Sequence, residues 1–145
     1  MLLRTLFPDG RFSRPATPLE IAEAERTIGA RLPEQLRSLY MECDGFREPR
    51  GNAKYLFSLS EEDGTGSLAS ANRFWHHEFP KIATFCPDFS RFIFFGSSSA
   101  DENWAIDQDG LNVIAYHHSM GDEFEVVCTE ITQAFLNDFE QYDAV

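Results

Sequence analysis

Ile21, Ala24 and Ile28 fall three and four residues apart, a spacing that lays them along one face of a helix. The start of that helix is marked just ahead of them. Thr17 is a helix-capping residue, Pro18 takes the first helical position, and Glu20 stands where a capping box needs a carboxylate. Gly29 supplies the stop. A second helix is expected from near Pro33, with Leu32, Leu36, Leu39, Tyr40 and Cys43 as its buried stripe and Asp44-Gly45 at its end. Residues 47 to 54 read as loop, Tyr55 to Leu59 as a strand, and Ser60 to Gly66 as an acidic, glycine-rich loop. Leu68, Ala71, Trp75 and Phe79 then return to helical spacing until Pro80.

Beyond Pro80 the period shortens and the pattern becomes β-rich. Arg91 to Phe95 reads as a buried strand. Asn103 to Asp107 and Leu111 to Tyr116 flank Asp109-Gly110, a hairpin turn signal. Glu123 to Val127 is a further strand. Thr129 is expected to cap a last helix carrying Ile131, Phe135, Phe139 and Tyr142 on one face. Consecutive strands joined by short turns, with helices before, between and after them, define an α+β class. The expectation is a single domain, mainly antiparallel or mixed sheet with helices packed on it. Residues 1–16 read as a lead-in, mostly loop, and 17–145 as the domain.

Composition sharpens this picture. A chain of 145 residues is sized for one domain. It can bury roughly 70% of its unfolded surface, without a metal or disulfide staple. Hydrophobic residues are 43% and aromatics 14%, which excludes disordered and fibrous classes. No apolar run exceeds four residues, so no membrane-spanning helix is expected. Met1 to Gly10 lacks a secretory signal's apolar stretch, and Cys43, Cys86 and Cys128 form no CxxC pair. A reduced, cytoplasmic protein with inert thiols is expected.

Charge adds a second asymmetry. The formal net charge is −12, yet every Lys and Arg lies at or before Arg91. Residues 92 to 145 hold 11 acids and no Lys or Arg. A field of that sign attracts a basic partner and disfavours direct binding to nucleic acid. The plainer reading is a solvated face that keeps the domain soluble.

No motif for catalysis or metal binding is complete. Gly64-Thr65-Gly66-Ser67 lacks the lysine of a phosphate-binding loop, and a simple loop with a helix cap accounts for it. Gly96-Ser97-Ser98-Ser99 resembles the start of a nucleophile elbow, but Ala100 replaces the closing glycine and a strand follows instead of a helix. Asp107-Gln108-Asp109-Gly110 opens like a calcium loop, then places Leu111 at a ligand position and His118 where a glutamate belongs. His76-His77 and His117-His118 are neighbours in sequence, and neighbours on a helix or strand do not share a face. No metal, cofactor or catalytic residue is assigned.

The ordered set of segments resembles a known family. Thr17-Pro18-Leu19-Glu20-Ile21 through Gly29 matches its opening helix. Leu32-Pro33-Glu34-Gln35-Leu36 and Leu39-Tyr40 to Asp44-Gly45 match its "LP-helix-NG" signature. Tyr55-Leu56-Phe57-Ser58-Leu59, Phe92-Ile93-Phe94-Phe95-Gly96, Asn103-Trp104-Ala105-Ile106-Asp107 and Val113-Ile114-Ala115-Tyr116-His117-His118 resemble its strands, and Thr129 to Phe139 its closing helix. The chain is similar over about residues 17 to 140 to the SUKH superfamily, which includes fungal cell-wall-assembly regulators and bacterial toxin-immunity proteins. It departs from the pattern at Asp44, where Asn is usual, and in the serines after Gly96.

The resemblance implies a non-catalytic binding domain, most directly an immunity protein that blocks a cognate toxin such as a nuclease or deaminase. Read with the charge, the contact residues are expected to be Asp101, Glu102, Asp107, Asp109, Asp122, Glu123 and Glu125, with Trp104 as an aromatic anchor or as core. The partner is then a basic toxin domain, with no membrane and no nucleic acid bound directly, and the protein a monomer or homodimer. A regulatory scaffold without a toxin is the alternative. A ligand-binding protein or enzyme using the Ser97–Asp101 loop with His117 is the third reading.

Overall fold

The computed structural model describes residues 3–48, 55–59 and 67–142, with backbone only for Tyr55 and Tyr142. Helix α2 (Pro18–Ile28) begins as its residues require. Thr17 Oγ1 accepts from the Glu20 N–H at 3.2 Å, and Glu20 Oε1 accepts from the Thr17 N–H at 3.0 Å. Gly29 closes the helix in the left-handed region, φ 76°. Helix α3 (Glu34–Glu42) buries Leu36, Leu39 and Tyr40, and the Tyr40 hydroxyl donates to the Phe57 carbonyl at 2.6 Å. The expected stripe of Leu32, Leu36, Leu39, Tyr40 and Cys43 is buried throughout.

The lead-in is structured, contrary to the expectation of a loop. Residues Leu3–Leu6 form a helical turn, α1, and Arg11–Phe12 form strand β1. Leu3 and Phe7 are buried in the main core, where Phe7 packs against Phe46 and Phe139. Apolar burial recruits this segment, because β1 completes a sheet whose next strand carries Phe46.

Seven strands follow one another in space as they do in sequence, each antiparallel to the next. After β1 come β2 (Phe46–Arg47), β3 (Tyr55–Leu56), β4 (Phe92–Ser97), β5 (Asn103–Asp107), β6 (Val113–Tyr116) and β7 (Glu125–Cys128). The strand expected over Tyr55 to Leu59 is shorter than its pattern. Ser58 makes only an isolated bridge to Ser67. The loop read over 60–66, and residues 49–54 of the preceding loop, lie outside the described residues.

The central strands are apolar and buried through their middle positions because both faces of the sheet are covered. Ile93, Phe95, Trp104, Ile106, Val113 and Ala115 face one core, packed by α1, α2, α3 and the last helix, α6 (Ile131–Tyr142). Phe94, Ala105, Ile114 and Tyr116 face a second, aromatic core. Its cover is α4 (Leu68–Arg73), a π-helical turn at Phe74–Glu78 and α5 (Phe79–Ile82). Trp75, in the π turn, stacks on Phe94 at 5.3 Å and meets Phe79 at 4.9 Å. Pro80 falls near the start of α5, where its missing N–H costs nothing, so the helical path runs past it to Ile82.

Strand β3 is too short to cover the edge of β4, and side chains complete the work. The Asn72 amide accepts from the Phe94 N–H at 2.8 Å and donates to the Phe94 carbonyl at 2.9 Å. His76 Nε2 donates to the Phe92 carbonyl at 2.8 Å. A helix thus stands where a neighbouring strand would, and the open edge is closed.

Candidate interaction face

The meander sorts the acidic residues by strand end. Strand β4 finishes, β5 starts, β6 finishes and β7 starts at the same end of the sheet. The two loops there, 98–102 and 117–124, carry Asp101, Glu102, Asp122 and Glu123, and Glu125 opens β7 beside them. Asp101, Asp122, Glu123 and Glu125 are exposed and Glu102 is half-buried. None of these five pairs with a Lys or Arg among the described residues.

Each loop is held by its own polar groups. Ser98 Oγ accepts from the N–H groups of Ala100 at 3.2 Å and Glu102 at 3.0 Å. Asp101 sits in the left-handed region at φ 61°, which Asp tolerates better than most residues. Asp138 on α6, itself buried, accepts from the Ser99 hydroxyl at 2.6 Å and from the Ser99 N–H. The second loop is anchored by the Tyr116 hydroxyl, which donates to the Gly121 carbonyl at 2.6 Å. His117 Nδ1 lies 2.8 Å from the Ser119 hydroxyl, and the His117 and His118 rings are 4.0 Å apart.

Glu102 registers the crowding. Burial first, then Glu125 and Asp138, push its carboxyl above the usual range, with His117 opposing them. Sequence reading left Asp138 out of the cluster. It lies about one turn before the end of α6, and nothing local shows that its carboxylate reaches a loop 39 positions earlier.

Three of the expected contact residues do not belong with the five. Trp104 is 3% exposed and packs edge-on against Phe135 at 4.9 Å, so it is core and not an anchor. Asp107 and Asp109 sit at the opposite end of the sheet. The Asp107 carboxylate accepts from the Leu111 N–H at 2.8 Å and from Asn112 Nδ2 at 3.0 Å, which builds the hairpin turn. Burial pushes its carboxyl up, but the hydrogen bonds outweigh that and hold it below its ordinary value. Asp109 makes a 2.8 Å ion pair with Arg91, both exposed.

Two hydroxyls of the serine loop are engaged within the fold. The Ser99 hydroxyl donates to a carboxylate and Ser98 Oγ is occupied by backbone N–H groups. Among the described residues, no group of three or more His, Cys, Asp or Glu is arranged to hold a metal ion, and no helix is long and apolar enough to cross a membrane.

A seven-strand antiparallel meander with helices packed on both faces is an α+β domain. The chain belongs to the SMI1 / KNR4 family (SUKH-1), whose sequence profile matches residues 15–142. A search of the curated proteins finds no match to the chain.

Proposed function

We propose that this protein is an immunity protein that neutralises a cognate toxin by presenting the acidic end of its sheet to a basic toxin surface. The observation that carries the reading is the five carboxylates of Asp101, Glu102, Asp122, Glu123 and Glu125, gathered from two loops and a strand start without a Lys or Arg partner among the described residues. Like charges held together repel one another, and a fold that keeps them unpaired is primed for an external counter-charge. Family membership supports a binding domain in the same direction. Enzymes that act on nucleic acid carry basic grooves for phosphates, and a nuclease or deaminase groove is the surface this face would occlude.

The test is a low-salt pull-down from the source cells, with the wild-type chain and an Asp122→Lys/Glu123→Lys variant as parallel baits. A stoichiometric basic protein with a toxin-like domain should be captured by the first bait. With that partner in hand, the variant should associate about tenfold more slowly, with a flatter dependence on salt. Equal association rates for both forms would remove this face from the mechanism. Capture of envelope or regulatory proteins alone would replace the toxin reading with that of a scaffold.

A further inference from the structure

A cavity of about 500 Å³ lies at the opposite end of the sheet from the acidic loops. Its walls are the C-terminal turn of α2 (Thr27 to Ala30), the α4–π helix (Ala69, Arg73, His76, His77), the start of β4 (Phe92) and Gln108 after β5. Among the described residues, no carboxylate lines it. Its ionisable lining residues, among those described, are one arginine and two histidines, a basic set in a molecule of net charge −12.

Two of the donors there, Arg73 and His77, make no hydrogen bond among the described residues. The Arg73 guanidinium has only a long, exposed ion pair with Glu78, at 3.8 Å and beyond hydrogen-bonding distance, which a phosphate can displace. Among the described residues His77 has no hydrogen-bond partner, and it is exposed. His76 is turned by its bond to the Phe92 carbonyl, which fixes the proton on Nε2 and leaves Nδ1 as the second polar atom of the ring. The π turn matters here. An α-helix steps about 100° per residue, whereas the wider turn at Phe74–Glu78 lets Trp75 enter the aromatic core while His76 and His77 both line one cavity. Across from them, the last carbonyls of α2 have no intrahelical partner and offer acceptors. Ala30, Ala69 and Phe92 give the remaining wall an apolar character.

We propose that this cavity binds a small organic phosphate, of which a nucleoside monophosphate is the simplest form: the phosphate on Arg73 and His77, a flat body against Ala69 and Phe92, and its N–H donors toward the end of α2. Guanidinium is the side chain whose fork matches phosphate oxygens two at a time. A cavity of this size falls within the range that small ligands occupy. The site is independent of the toxin reading, because it shares no residue with the acidic face.

The experiment is a titration of the full chain, with histidine side chains labelled with ¹⁵N, using adenosine 5′-monophosphate, adenosine and inorganic phosphate as separate probes. The monophosphate should shift the His76 and His77 ring signals saturably and leave those of His117 and His118 in place. Arg73→Ala, at an exposed position that leaves the cores untouched, should weaken binding at least about tenfold, the loss of one charge-assisted contact. Lys81→Ala, outside the cavity, should bind as wild type does. The proposal is overturned if no saturable shift occurs by about 10 mM, a strength too weak for a built site. It is equally overturned if Arg73→Ala binds unchanged, or if Lys81→Ala loses as much. Adenosine binding as tightly as its monophosphate would overturn the phosphate contact, and inorganic phosphate binding as tightly would overturn the contact with the flat body.

Discussion

At Glu102 the cost of the acidic face can be measured on one side chain. Its carboxyl is raised first by burial, then by Glu125 and Asp138. The native state therefore holds this proton more tightly than the unfolded chain does. Any stability the group contributes is lost as pH rises from the ordinary value of 4.5 through the folded pKa. Glu102→Gln, neutral at every pH, is expected to be more stable than wild type near pH 7, and the gap should close as pH falls to about 4. Urea melts at the two pH values check it, and a variant less stable near pH 7 would show the carboxylate to be a net structural contact. Cys43 shows the same physics in the core, where burial is the largest cause. Burial pushes its thiol up to about 12, so it stays protonated, as a small core residue should.

Helix ends show where local chemistry sufficed and where it did not. Thr17, Glu20 and Gly29 mark α2 from sequence because each acts within four residues of its own position. Thr129 was expected to start α6 in the same way, but the first N–H of that helix, on Ile131, is satisfied by Gln35 Oε1 at 2.8 Å. The same amide donates to the carbonyls of Gly110 and Thr129, both at 2.9 Å. One side chain on α3 thus ties together α3, the β5–β6 hairpin and the start of α6, a link across 96 positions that no local pattern signals. Gln35→Leu keeps the size and removes all three bonds. It should cost about 2 kcal/mol, since it leaves partly buried backbone groups unpaired. Hydrogen exchange should show the loss concentrated at Ile131 and in the hairpin. Uniform loss across the molecule would mean that the clamp is not a local element.

At the scale of the molecule, function and stability pull on the same charges. A net charge of −12, with every Lys and Arg in the first 91 positions, makes the folded state repel itself. Raising NaCl from about 10 to about 200 mM should lift the melting temperature by a few degrees through screening. Asp122→Lys/Glu123→Lys should raise the low-salt melting temperature of the free protein and, under the proposed function, weaken its grip on a basic partner. Calorimetry at the two salt concentrations reads the first effect. A melting temperature that does not move with salt would show that the acids lie too far apart to interact.

Sequence alone determined what is periodic or local. The faces of α2 and α3, the capping box, the Asp109-Gly110 turn, the buried β4 and β6 runs and the segregation of charge all depend on neighbours a few positions away, or on counting. The family was legible for the same reason, because its segments recur in order. The tertiary structure decided whatever depends on side chains meeting across the fold. It drew Leu3 and Phe7 into the core and turned Trp104 inward against Phe135. It sent Asp107 and Asp109 to one end of the sheet and the other five acids to the opposite end. An antiparallel meander reverses direction at every strand, so residues close in sequence can stand a full strand length apart. Which end each loop occupies is set by strand order and register, and pairing across the sheet fixes both.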